Sequence, residues 1–283
     1  MRFGNAAWGF REMPLEEQLK FTHEMGWDIL ELGIANAPMD LSFSADEEQI
    51  EAVKNLFYKY GVKLLYASTG NDFTTGDRQD VEKIKRVCDI CKKLGVKYLR
   101  IFSGFSPVEE VVGSRWDTMI SCLREVDAYA QSQGVYLVIE THGGVNSFED
   151  GVEHFMSTSS HPATLIQMLK ELPETIRVNF DPANLRAVGI IHPEEVYEAC
   201  KERVSMVHLK DFVPLPSGHM KPAACGDGDM DWERILTALN GYDGAALFEY
   251  ENPEDVKEGT KRCYDYIKRV EGRINSCRRE NEV

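Results

Sequence analysis

The chain of 283 residues is 43% hydrophobic, which excludes a disordered polymer and fits one large α/β domain. Its 47 acidic side chains outnumber 32 basic ones, for a net charge of −15, and the basic residues gather on no face, which argues against a nucleic-acid partner. No apolar run approaches the roughly 18 residues of a membrane span, and the N-terminus turns charged by Arg11, too soon for a signal-peptide core.

Strand candidates occur in chain order at residues 3–8, 29–34, 63–68, 98–102, 136–141, 177–181, 205–210 and 245–250. All but the seventh lead into a helix of ordinary length; the seventh leads into a long loop and a short helix near 232–239. Strands that alternate with helices imply parallel βαβ units, and eight of them close a barrel. The expected fold is a single (β/α)8 TIM barrel over residues 1–272, followed by a polar C-terminal tail over 273–283. Helix boundaries carry their usual signals. Asn252-Pro253-Glu254-Asp255 supplies a cap, a proline at the first helical position and acids for the helix dipole. Gly26, Gly61, Gly95, Gly134 and Gly241 follow helical patterns, where a left-handed cap is wanted.

Two connections are long, 143–160 and 212–231. Both follow strands, so both lie at the C-terminal face, where barrel enzymes place their sites, and both are expected as covering loops. The seven cysteines include one close pair, Cys88 and Cys91, on a stretch of helical period. That pair reads as small core side chains rather than half a zinc site, and the scatter of thiols suits a reducing, cytoplasmic setting.

The unusual feature is charge at the ends of apolar strands. Val138-Ile139-Glu140, Val178-Asn179-Phe180-Asp181, Met206-Val207-His208 and Leu247-Phe248-Glu249 each run apolar and then meet a metal-capable side chain. Alternation along a strand puts Glu140 with His142, His208 with Lys210, and Glu249 with Glu251. Carboxylates turned into a barrel together need something positive, because burying one unpaired costs several kcal/mol. One divalent ion answers that need. A set of three carboxylates and one imidazole suits Mn²⁺ or Mg²⁺, with Co²⁺ or Zn²⁺ as alternatives.

These residues carry a resemblance. Glu140-Thr141-His142-Gly143-Gly144, Asn179-Phe180-Asp181-Pro182-Ala183-Asn184, His208-Leu209-Lys210-Asp211 and Phe248-Glu249 resemble, in order and spacing, the sugar isomerase/epimerase family with the xylose-isomerase-like TIM barrel. Gly226-Asp227-Gly228-Asp229-Met230-Asp231-Trp232 and the second-strand segment Met25-Gly26-Trp27-Asp28-Ile29-Leu30-Glu31 are similar to that family too. The resemblance implies that Glu140, Asp181, His208 and Glu249 bind one metal and that the partner is a small carbohydrate. It also allows a homo-oligomer. Where ketose 3-epimerases end the Asp motif in His, this chain has Asn184.

The expected chemistry is isomerisation or epimerisation of a keto sugar by proton transfer next to a carbonyl, through an enediolate, with Glu140 and Glu249 as the acid/base pair. His142, Asn184 and Lys210 are expected to bind substrate. Trp8, Glu31 and Arg100 are weaker candidates for the same role, with core packing or charge pairing as the alternative for each. A lyase or dehydratase acting on a keto sugar, an inosose or a C-glycoside-derived substrate is the runner-up. An apurinic-site endonuclease and a non-catalytic sugar-binding barrel rank last.

Overall fold

The computed structural model of the protein describes residues 1–35 and 40–281. The strands in chain order are β1 (Arg2–Asn5), β2 (Ile29–Gly33), β3 (Lys63–Ser68), β4 (Tyr98–Ile101), β5 (Tyr136–Glu140), β6 (Gly144–Ser147), β7 (Val152–Phe155), β8 (Arg177–Phe180), β9 (Val204–Leu209), β10 (Asp211–Pro214), β11 (Met220–Ala223) and β12 (Ala245–Phe248). Eight of them close a parallel barrel in the order β1-β12-β9-β8-β5-β4-β3-β2. The helices are α1 (Leu15–Glu24), α2 (Glu47–Tyr60), α3 (Arg78–Leu94), α4 (Ser114–Gln133), α5 (Pro162–Glu171), α6 (Pro182–Ala187), α7 (Pro193–Cys200), α8 (Trp232–Ala238) and α9 (Val256–Asn281). This is the expected (β/α)8 architecture.

The barrel strands are apolar on both faces because both faces are covered. Leu30, Leu32, Leu137, Ile139, Val207 and Phe248 pack outward against the helices. Ile29, Tyr66, Val138, Met206 and Leu247 form a separate cluster inside the barrel. Each such side chain contributes about 1.5–3 kcal/mol on full burial. Local signals fix the helix ends. Asp46 and Gln49 form a reciprocal capping box at the start of α2, and Gly61, at φ 67°, closes the helix in the left-handed conformation.

Three expectations change. The first strand stops at Asn5 rather than at residue 8, because its pairing with β12 ends there and the chain turns, with the Phe10 amide donating to the Ala7 carbonyl. The two long connections are not plain loops. They contribute β6, β7, β10 and β11, which form a four-stranded antiparallel sheet in the order β10-β11-β7-β6 beside the barrel mouth. Gly144 is needed in that sheet, because a Cβ there would meet the Phe155 ring at 2.0 Å. Finally, α9 carries on through residues 273–281 of the segment expected as a polar tail, and residues 282–283 lie outside the described residues. Polarity did not preclude helix there, since Arg and Glu are good helix formers. Cys88 and Cys91 are buried and unpaired in α3. No described helix is long and apolar enough to cross a membrane.

Candidate metal centre and its cavity

The strand ends bring Glu140, Asp181, His208 and Glu249 together. One donor atom from each lies within 4.8 Å of the others, and all four residues are buried. β5 ends in Glu140, β9 carries His208 in its last turn of pleat, and Glu249 directly follows β12. Asp181 follows β8 and caps α6: its Oδ1 accepts from the Asn184 amide at 2.9 Å, and Pro182 occupies the first helical position. Thr141 ties the neighbouring strand ends together, accepting from the Asp181 amide at 2.8 Å and donating to the Asp181 carbonyl at 3.2 Å.

Capping uses only one oxygen of Asp181; the other, Oδ2, is buried, with the Lys210 ammonium 3.1 Å away but no aligned hydrogen bond. The two ring nitrogens of His208 are likewise buried without one. His208 Nδ1 stands 3.3 Å from Glu249 Oε2, 3.4 Å from Glu140 Oε1 and 3.7 Å from Asp181 Oδ2. Three carboxylate oxygens ring one nitrogen, and none is aligned to it. Donors that share a divalent ion at about 2.0–2.6 Å stand at this kind of separation from one another. Five carboxylates meet here (Glu31, Glu140, Asp181, Glu249 and Glu251) against two permanent cations, Arg100 and Lys210. The donor set, the His208 nitrogens without a hydrogen bond and the excess of negative charge all fit one divalent metal.

The two cations divide the carboxylates between them. Arg100 donates to Glu31 Oε1 at 2.8 Å and to Glu140 Oε2 at 2.6 Å. Lys210 Nζ lies 2.6 Å from Glu249 Oε2, 2.8 Å from Glu251 Oε1 and 3.1 Å from Asp181 Oδ2. Burial pushes the Glu140 carboxyl up, but Arg100 and His208 more than reverse it and hold the group at about 2. Burial also opposes ionisation of Glu249, and Lys210, His208 and Arg100 hold it well below the usual carboxylate range. Burial lowers His208 and Lys210, yet the carboxylates around each raise both well above their ordinary values.

A cavity of about 510 Å³ opens above this floor. Glu140, Glu249, Arg100 and Lys210 reach it, as do the sequence-predicted His142, Asn184 and Trp8. Asn184 Nδ2 donates to Glu140 Oε1 at 3.1 Å, and its Oδ1 is buried without a partner. Trp8 is 39% exposed, with the Arg11 guanidinium 4.7 Å from its ring centroid, so it belongs to the rim and not to the core. Glu31 is fully buried, takes the Ala7 amide and Arg100, and is not among the cavity-lining residues. The structure thus makes it a partner of Arg100 and brings it no contact with the cavity.

Several cavity residues had no signal in the sequence reading: Arg11, Phe102, Phe105, Val152, His154 and Pro222. The alternation Val152-Glu153-His154-Phe155 was the one available hint, since it has strand period. Asp211, which the sequence joined to the His208 motif, has a different task. It accepts from the amides of Phe212, Gly226 and Met230 and from Trp232 Nε1, pinning the segment after β11. Gly228 is required there, because a Cβ would stand 2.1 Å from Asp211 Oδ1.

Comparison with known proteins agrees with the barrel fold. No curated protein matches the chain in sequence. Among solved structures, the probable 3-DHS dehydratase involved in petrobactin synthesis in Bacillus anthracis superposes with a TM-score of 0.75 at 14% identity, covering 92% of this chain and 98% of that one. The D-psicose 3-epimerase of Clostridium cellulolyticum, solved with D-tagatose, gives 0.70 at 15% identity over 95% and 99%. The IOLI protein, solved with a bound zinc atom, gives 0.71 at 18% identity over 95% and 98%. At these identities the likeness is one of fold. The family description matches residues 19–269, and the chain belongs to the xylose isomerase-like TIM barrel family.

Proposed function

We propose that the protein is a metal-dependent keto-sugar isomerase or epimerase that moves a proton next to a carbonyl, through an enediolate. The observation that carries this reading is the placement of two ionised carboxylates, Glu140 and Glu249, on the cavity floor from β5 and the end of β12, with β9 and β8 between them in the barrel. The D-psicose 3-epimerase solved with D-tagatose, a relative in fold, lends the sugar class.

Asp181, His208, Glu140 and Glu249 would hold the ion, with Mn²⁺ or Mg²⁺ assigned first. Bound there, a divalent ion supplies Lewis-acid charge to a carbonyl and so acidifies the neighbouring C–H. The remaining work falls to side chains. Glu140 and Glu249 approach from different sides, so one can take the proton and the other return it to the opposite face. Arg100 and Lys210 keep both carboxylates ionised and therefore able to accept. Asn184 has a buried acceptor, Oδ1, free for a substrate hydroxyl. His142 Nδ1 is engaged with the Gly143 carbonyl, which fixes the ring where it meets the cavity.

Elimination is the second reading, since the glutamate that takes the proton can hand it to a departing hydroxyl instead of returning it to carbon, and both glutamates line the cavity. Incubating Mn²⁺-loaded protein with keto sugars in D₂O tests both readings. Deuterium gained at carbon without loss of water supports epimerisation or isomerisation. Loss of water supports the lyase, and no exchange with any keto sugar sinks both.

A further inference from the structure

Most polar side chains around the cavity are already engaged with the protein. Arg100 and Lys210 serve the carboxylates. Arg11 donates to the carbonyls of Trp8 and Glu251, and His142 Nδ1 meets the Gly143 carbonyl. His154 differs. It sits on β7, in the sheet beside the mouth, and its ring lines the cavity. Its Nδ1 is buried with no hydrogen bond. Its Nε2 is not sealed off in that way, and among the described residues it has no hydrogen-bond partner.

The ring is held in place by packing. It lies 5.1 Å from the Phe212 ring, and Phe212 is itself buried, with its amide donating to Asp211. Phe212 stands four residues beyond His208, so the imidazole lies above the carboxylate floor and not in it. Burial first, then Lys210 and His142, hold His154 at about 3, which leaves it uncharged at neutral pH. A neutral imidazole has one N–H and one bare lone pair. A buried N–H without an acceptor is the rarer orphan, so the sealed Nδ1 keeps the lone pair and Nε2 carries the proton. The open nitrogen is thus a donor waiting for an oxygen.

Resting on the keto-sugar reading above, we infer that His154 is a specificity-determining residue: its Nε2–H donates to the hydroxyl oxygen at the end of the sugar chain remote from the carbonyl. The carbonyl end lies on the carboxylate floor, and the far end rises to the sheet. A sugar lacking that hydroxyl leaves the donor unpaired and is selected against.

Two measurements test the assignment. In ¹⁵N NMR of histidine-labelled, Mg²⁺-loaded protein, the signals lost in His154→Gln identify this ring, and they should report a neutral imidazole protonated at Nε2. A proton on Nδ1 overturns the inference. Calorimetric titration then compares D-tagatose and D-allulose with their 6-deoxy counterparts. The 6-hydroxy sugar of a pair is expected to bind roughly 3–10-fold tighter, the worth of one neutral hydrogen bond. His154→Gln should keep that ratio, because its amide nitrogen falls where Nε2 stood. His154→Phe, which retains a ring against Phe212, should bring it to one. Equal affinities in the wild type, or a preference that survives in His154→Phe, overturn the role of His154. If the sugars bind and exchange a proton in D₂O without that preference, His154 fails and the keto-sugar reading stands. If none binds or exchanges, both fall.

Discussion

Two layers of the barrel interior differ by one step of pleat and by everything chemical. The lower layer is Ile29, Val138, Met206 and Leu247. Two residues further along the same strands stand Glu31, Glu140, His208 and Glu249, joined by Arg100 from β4. The layers are about 7 Å apart by strand rise, and both are almost wholly shielded from water. The lower one is held by apolar burial alone. The upper one needs a partner for every charge, and buried ion pairs often do no better than a hydrophobic replacement of equal volume. A charged layer that gains little stability over an apolar one and sits under a cavity is what the proposed function needs, and the two layers should answer mutation differently.

The largest expected effect is on turnover. Glu249→Gln should slow deuterium exchange into a keto substrate by about 10²–10⁴-fold, the usual worth of a positioned acid/base. Leu247→Ala, one step below, should instead cost about 2–5 kcal/mol in urea denaturation and leave metal content by elemental analysis unchanged. Wild-type exchange in Glu249→Gln would erase the contrast between the layers.

Next in size is Arg100→Met. It strips the guanidinium from Glu31 and Glu140 together, and breaking a buried pair from one side costs about 3–5 kcal/mol. Adding Glu31→Met should recover part of that loss, because the second change removes an unpaired charge. A double variant no more stable than Arg100→Met in urea would mean that Glu31 is not the partner that matters. Mn²⁺ at about 100 times its dissociation constant should stabilise the wild type by about 2.7 kcal/mol. Asp181→Asn should abolish that gain, while Met206→Ala, in the lower layer, should keep it despite starting less stable.

The upper layer was the more legible of the two regions of the site. A charged residue that ends an apolar run declares itself, and strand alternation places it on the inner face, so Glu140, Asp181, His208 and Glu249 could be read from the chain. Glu31 and Arg100 were equally visible as charges inside strands, but their pairing spans 69 residues of sequence and two strands of barrel. Nothing local encodes it. The sheet beside the mouth was hidden for the same reason. Its four strands have four residues each, and its two hairpins join only where Met220 meets Val152. His154 and Pro222 reach the cavity through that contact, so no reading of either segment alone could have placed them there. Trp8 was misplaced more simply, because the apolar run that carries it outlasts the hydrogen bonding of β1.

The smallest effect tests the sheet beside the mouth rather than the floor. Burial first, then Lys210 and His142, hold His154 at about 3, below its ordinary 6.5. A histidine whose folded value is depressed binds its proton more readily in the unfolded chain. Its contribution to stability is therefore complete above about pH 6.5 and is lost progressively as pH falls toward 3. Between pH 7.5 and 5.5 this group alone should cost about 1 kcal/mol, after allowance for partial solvent screening. Other groups titrate in the same window, so the informative quantity is a difference. His154→Gln should flatten the pH slope of urea stability by about that amount relative to wild type. Parallel slopes would mean that the imidazole takes up its proton as easily in the folded protein as in the unfolded one. In that case the sheet beside the mouth would not shield His154 from water.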